Sequence, residues 1–302
     1  MQCRIGGASV TVLWPDSLVT DIARRRAVLV LGSGVSRQAQ NVKGKNPPMW
    51  GECLDLAISK LSGTAASKDN IRRMMNKNRD LLTACEAIKE AMGAAEFRQF
   101  MREQYLDPQF QSAPLHDSII NLDVQITATP NFDKIYDSRI NTLQKSSVAI
   151  KHYYDDDLAD IIRTPARIII KVHGTIDKPN EMIFTRSEYA QARNRHRSFY
   201  AVLEALIMTH TFLFLGCGIE DPDIRLILED HAFRYGYARP HFFVLPKGHV
   251  HPQFRSIIEN SLNIKVLEYD KAGGHKLLKD SIDELVHRVN ASRQTMGATL
   301  AW

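Results

Sequence analysis

Four strand-like runs in this chain each stop at a cluster of glycine and polar residues. Ala27–Leu31 runs into Gly32-Ser33-Gly34-Val35-Ser36, and Val124–Thr127 into Ala128-Thr129-Pro130-Asn131-Phe132-Asp133. Arg167–Val172 runs into His173-Gly174-Thr175, and Thr211–Leu215 into Gly216-Cys217-Gly218. A run that is apolar at nearly every position suits a strand covered on both faces. Two later runs, His241–Leu245 and Ile264–Tyr269, have the same character. Between the runs, apolar residues recur at helical spacing in Asp133–Leu143, Arg186–Thr209, Pro222–Phe233 and His275–Arg293, with one more helix expected at Asp16–Arg26. Strands alternating with helices predict an α/β fold: a Rossmann-like, doubly wound parallel sheet with helices on both faces.

One stretch breaks the alternation. From Gly51 to Tyr105 the apolar positions (Leu54, Ala57, Ile58 and Leu61, then Leu81, Leu82, Cys85, Ile88 and Met92) keep helical spacing with no strand-like run between them. This predicts a helical insertion over 51–110 inside a single domain of residues 13–295. Residues from Ser292 on are expected to be poorly ordered, with 296–302 forming a C-terminal tail.

Composition narrows the function classes. The longest apolar candidate for a membrane span, Ala201–Gly216, is interrupted by Glu204, Thr209, His210 and Thr211. The first residues lack the basic start, apolar core and cleavage site of a secretory signal. The expected location is the cytoplasm. Cys3, Cys53, Cys85 and Cys217 show no paired C-x-x-C spacing, so no zinc-ribbon module and no metal site are expected, and the thiols read as buried and reduced. The net charge of +5 comes from scattered lysines and arginines, densest at Arg24–Arg26 and Arg193–Arg197. That pattern suits solvated helix faces better than a nucleic-acid tract.

Open parallel sheets bind ligands beyond the carboxyl ends of their strands. The unusual residues of this chain fall at those ends, so the four loops describe one expected site. In Gly32-Ser33-Gly34-Val35-Ser36, glycines would let the backbone approach a diphosphate while amides and hydroxyls donate to it, although a tight turn explains the same residues. Arg37 stands where a dinucleotide fingerprint would place its third glycine. Asn131 offers donors and an acceptor to an amide or a ribose hydroxyl, or is a turn residue. Asp133 either joins it or caps the following helix. His173 suits general-base work on a ribose hydroxyl or water. Gly216-Cys217-Gly218 repeats the phosphate-cradle logic, and Asp221 reads as the N-cap of a helix opening at Pro222. The Tyr269–His275 loop either closes over an adenine or is a plain connection.

Taken in order, these loops resemble the Sir2 family, and more closely its bacterial SIR2-like branch of antiphage NAD-consuming effectors. The resemblance matches Gly32, Ser33, Gly34 and Ser36 to the family's first nucleotide loop. It matches Thr129, Asn131 and Asp133 to its Thr-x-Asn-x-Asp element, and His173-Gly174 to its catalytic His-Gly. Gly216, Cys217 and Gly218 match its later phosphate loop, and Phe212–Ile224 its strand, glycine and Asp-Pro-Asx segment. It implies Asn131 and His173 as catalytic residues and the other matched positions as contacts to NAD, which is the substrate. Two departures turn the expectation away from deacylation. The four-cysteine zinc module is missing, and Arg37-Gln38-Ala39-Gln40-Asn41-Val42 replaces the Ile-Pro-x-Phe-Arg segment. Pro130 also stands where the deacylases have glutamine.

The activity expected from the resemblance is an NAD glycohydrolase that depletes NAD in antiviral defence. Three rivals stand beside it: an NAD-dependent protein deacylase, a non-catalytic module sensing NAD or ADP-ribose, and a basic nucleic-acid-binding protein. Because a constitutive NAD consumer would poison its own cell, the family analogy implies a homo-oligomer or a regulatory partner such as a HerA-type ATPase or an Argonaute. The helical segment Gly51–Tyr105 is the expected interface or active-site cover.

Overall fold

A computed structural model describes residues 11–77, 80–143, 148–218, 222–271 and 273–299. Among the described residues there are seven strands: β1 (Ala27–Leu31), β2 (Ile126–Thr129), β3 (Val148–His152), β4 (Arg167–Lys171), β5 (Thr211–Leu215), β6 (His241–Pro246) and β7 (Ile264–Tyr269). Their order is β3-β4-β2-β1-β5-β6-β7. The β2–β4, β3–β4, β5–β6 and β6–β7 pairs are all parallel, with helices in the connections. The chain is therefore an α/β protein with a Rossmann-like parallel sheet, as the alternating runs predict.

Two compact units divide the chain: residues 1–29, 114–124 and 207–302 in the first, and 30–113 and 125–206 in the second. In the first unit, every residue of β5 is buried and β6 is buried up to Pro246, the burial expected of apolar runs covered on both faces. The last helix, Lys276–Thr299, is longer than expected. It buries Leu278, Ile282, Leu285 and Val289 at helical spacing and continues to Thr299, so the tail expected from Ser292 is helical that far. Ser281 ties it to the N-terminal segment, accepting from Val12 N at 3.0 Å through Oγ and from Trp14 Nε1 at 2.8 Å through its carbonyl.

The second unit holds β2, β3 and β4 together with the helical segment. β2 lies two residues further along than the sequence suggests. Asp123 turns the chain with a left-handed φ of 53°, so the ladder opens at Ile126 and runs through Thr129. Pro130, which has no N–H to give a ladder, ends it. β3 was not expected, being short, half-buried throughout and polar at Lys151 and His152. The expected helix Arg186–Thr209 is two helices, Arg186–Arg195 and Arg197–Thr209, parted where His196 leaves helical geometry at ψ 49°.

The segment 51–110 is helical, with Trp50–Lys60, Ala65–Asn76, Leu81–Met92 and Ala94–Tyr105 in succession. Its core does not stand alone. Leu54, Ile58, Ile88, Phe97 and Phe100 pack in one cluster with Ile176, Met182 and Phe184, which follow β4. Phe184 meets Phe97, Phe132 and Trp50 at centroid separations of 5.1, 6.0 and 6.3 Å. Burying aromatic surface of this size contributes several kcal/mol, on the order of 25 cal/mol per Å². The insertion is thereby welded to the loops beyond β2 and β4.

Candidate active site

The register of β2 against β4 sets the site. Thr129 lies opposite Lys171, and Val172 N donates to Thr129 O at 3.0 Å. Asn131 and His173 therefore each sit two residues beyond the same rung of a parallel ladder, on strands whose spacing is about 4.8 Å. Thr129 also reaches the end of β1, its Oγ1 donating to Leu31 O at 2.7 Å, while it accepts from Asn131 N at 3.1 Å. In the second unit the structure thus brings together the first glycine loop, the Asn131 loop and the His173 loop.

A relay of hydrogen bonds crosses between the first two. Gly32 is extended, with φ −91° and ψ −179°, and Ser33–Ser36 forms a single helical turn after it. Ser36 Oγ donates to Asp133 Oδ2 at 2.7 Å, and Asn131 Nδ2 donates to Ser36 Oγ at 3.0 Å. Asp133 Oδ1 accepts from Ile135 N at 3.0 Å, so the carboxylate both caps helix Ile135–Leu143 and holds Ser36. A carboxylate can only accept, so Ser36 gives it its one proton and accepts from the amide of Asn131. The carbonyl oxygen of the half-buried Asn131 is then the end of the amide left to act on a ligand.

Beneath this relay lies Lys171, which the sequence analysis does not single out within the run Arg167–Val172. Lys171 is 1% exposed; its Nζ donates to Asp133 O at 2.6 Å and pairs with Asp137 Oδ2 at 3.2 Å. Burial raises the Asp137 carboxyl above the ordinary carboxylate range, against the lowering effect of Lys171. The signal in the sequence was the lone cation in the otherwise apolar run Ile168–Val172. A buried charge that survives there has partners.

His173 is buried, its ring edge-on to Tyr189. Its carbonyl accepts from Ile183 N at 3.0 Å, and Ile176 N donates to Phe132 O at 2.9 Å, so the loop after β4 is pinned at both ends. Gly174 has φ +82°, and a Cβ there would collide with the carbonyl oxygen of Glu181. Only glycine satisfies both conditions, which explains the His-Gly pair physically.

In the first unit, Gly216 leaves β5 at φ +63°, Cys217 is buried with Sγ 3.6 Å from Leu215 O, and Gly218 is exposed. The Asp221 cap lies outside the described residues. Cys53, Cys85 and Cys217 are free thiols, and burial pushes Cys53 up to about 12, which makes it an inert core residue. Cys3 lies outside the described residues. Among the described residues no group of His, Cys, Asp and Glu side chains is placed to hold a metal ion. Among them, too, no helix is long and apolar enough to cross a membrane.

The pattern of loops has counterparts in known proteins. The family model of the SIR2-like domain matches residues 125–267, which include Asn131, His173 and Gly216–Gly218. Over those residues the chain is similar to a SIR2-like domain. Ser36, the first glycine loop and the helical insertion fall outside the matched part. Among relatives, this chain is 26% identical over 175 residues to the NAD(+) hydrolase ThsA of Enterococcus faecium, covering 57% of this chain and 36% of that one. To the protein of the same name from Acinetobacter baumannii it is 22% identical over 235 residues, 77% of this chain and 45% of that one. The defense-associated sirtuin 2 of Bacillus subtilis is 22% identical over 214 residues, 70% of this chain and 20% of that one. The chain spans less than half the length of each of these relatives.

Proposed function

We propose that this chain hydrolyses NAD to nicotinamide and ADP-ribose, as an effector of antiviral defence. The observation that carries the reading is the placement of Asn131 and His173 two residues beyond a shared rung, with Ser36 fixing the Asn131 amide. The relatives named NAD(+) hydrolase support the substrate, and the one named defense-associated sirtuin supports the setting.

In this reading the glycine loop at 32–34 lies against the diphosphate, where backbone amides donate to it. Breaking the bond from nicotinamide to ribose builds positive charge on the sugar, as in glycoside hydrolysis. The carbonyl oxygen of Asn131 accepts from a ribose hydroxyl or from the attacking water, and His173 takes the proton from one of them. Asp133 acts through Ser36. Control by self-association or by a partner follows from the cost of consuming NAD unchecked.

The test is direct. Asn131→Ala and His173→Ala should each abolish nicotinamide release from NAD while circular dichroism and thermal unfolding stay close to those of the parent. Full activity in either variant rejects the assignment. Formation of deacetylated peptide in step with nicotinamide would replace hydrolysis by deacylation, and unchanged NAD with every activator would leave only a sensing role.

A further inference from the structure

Tyr189 sits in the first turns of helix Arg186–Arg195 with its hydroxyl 3.4 Å from Nδ1 of His173. The two rings meet edge-on, centroids 4.9 Å apart at 75°, and both side chains are buried. The start of this helix is closely defined. Thr185 and Glu188 form a capping box, and Glu188 Oε2 also accepts from Phe184 N at 2.9 Å. The three residues before Tyr189 are then tied to the insertion. Arg186 pairs with Asp80 at 2.8 Å, Ser187 donates to Glu86 through N at 3.1 Å and Oγ at 2.7 Å, and Glu188 pairs with Lys89.

We propose that Tyr189 is a positioning residue for His173, its phenolic oxygen accepting from Nδ1–H so that the proton-accepting lone pair resides on Nε2. The proposal rests on the reading of His173 as the base in NAD cleavage. A neutral imidazole carries one N–H, and the hydrogen bond at one nitrogen decides what the other can do. A base needs a lone pair on its reacting nitrogen, and Nδ1 is the nitrogen that faces the buried phenol. A separation of 3.4 Å is long for such a bond in the resting protein. It shortens when the ring gains a proton, because hydrogen bonds from a cation are the stronger ones. The clamp on residues 186–188 gives the insertion a role in chemistry: helix Leu81–Met92 holds the helix that holds His173.

The experiment uses the full chain with 15N-labelled histidine rings, His173→Gln identifying the resonance. The parent should show the Nδ1–H tautomer at His173. Tyr189→Phe keeps the edge-on ring but removes the acceptor, so a mixture of tautomers should appear. Its kcat for nicotinamide release should fall roughly tenfold to a hundredfold with KM within about twofold. The double variant Asp80→Ala, Glu86→Ala loosens the clamp and should move the tautomer ratio in the same direction by less, which decides the matter should Tyr189→Phe not fold. An Nε2–H tautomer in the parent, or a ratio unmoved by Tyr189→Phe, overturns the proposal. A parent that releases no nicotinamide overturns the reading of NAD cleavage instead, and the tautomer measurement still decides the Tyr189 contact.

Discussion

Asn131 donates from Nδ2 to Ser36 Oγ at 3.0 Å, although 95 residues separate them in the chain. Ser36 passes the constraint on to Asp133, 2.7 Å away, and that carboxylate is itself fixed by Ile135 N. An amide held by one end in this way loses its freedom to flip, and its other end meets a ligand already oriented. Orientation of this kind is a large part of how enzymes lower barriers.

Ser36→Ala should therefore lower kcat for nicotinamide release by about tenfold or more, because the Asn131 amide loses its anchor across the loops. Ser36→Thr, which keeps the hydroxyl, should recover most of the rate. Steady-state kinetics on the two variants check this, and equal losses in both would assign Ser36 to packing.

Gly174 and Gly248 separate strain from collision. Both have left-handed φ, +82° and +78°, but a Cβ at Gly248 meets nothing within 4 Å. Gly248→Ala should cost about 1 kcal/mol from backbone strain alone. Gly174→Ala adds a clash with the Glu181 backbone and should cost several kcal/mol, with loss of activity as the loop carrying His173 shifts. Chemical denaturation of the pair measures the difference.

Lys171→Met should destabilise the chain by about 3–5 kcal/mol at pH 8, since it leaves the Asp137 carboxylate buried without its cation. The sign of the pH dependence follows from Asp137, whose folded pKa is raised by burial. Its favourable contribution is complete below the ordinary aspartate range and is lost as pH rises through the raised folded value. Without Lys171 that value rises further, so the deficit of the variant should shrink as pH falls toward the carboxylate range. Urea unfolding at pH 8 and at pH 5 tests it; a deficit independent of pH would argue against an ionised pair.

His241, in the first unit, works in the opposite direction. Burial, and then the neighbouring His231, lower its pKa from 6.5 to about 4, while its Nδ1 accepts from Phe212 N at 3.1 Å. A depressed folded value means that the contribution is present above 6.5 and is lost as pH falls toward about 4, amounting to about 3 kcal/mol. His241→Asn keeps an acceptor for the Phe212 amide and should flatten that acid loss. An unchanged slope of stability against pH would show that other groups govern it.

Much of this arrangement could be read from the chain. Runs such as Ala27–Leu31 and Ile168–Lys171 are strands because a strand covered on both faces buries its side chains in succession. Asn131 and His173 could be singled out because polar residues directly after such runs fall at the ligand-binding edge of a parallel sheet. The half-buried β3, by contrast, gives no periodic signal, and the break at His196 follows no Gly or Pro.

Lys171, Asp137 and Tyr189 belong to a different class. Lys171 stands out locally only as a cation in an apolar run, and nothing within a few residues marks Asp137 or Tyr189, because the partners lie across the sheet or on a separate helix. Local pattern determined the fold class, the strand-end loops and the His-Gly pair, since those depend on burial period and backbone freedom, which are properties of neighbouring residues. Tertiary structure decided the register that sets Asn131 beside His173, the buried cation beneath them and the attachment of the insertion to the His173 loop. Ion pairs and hydrogen bonds act over a few ångströms in space, with no regard for distance along the chain, so they exist only once the sheet has assembled.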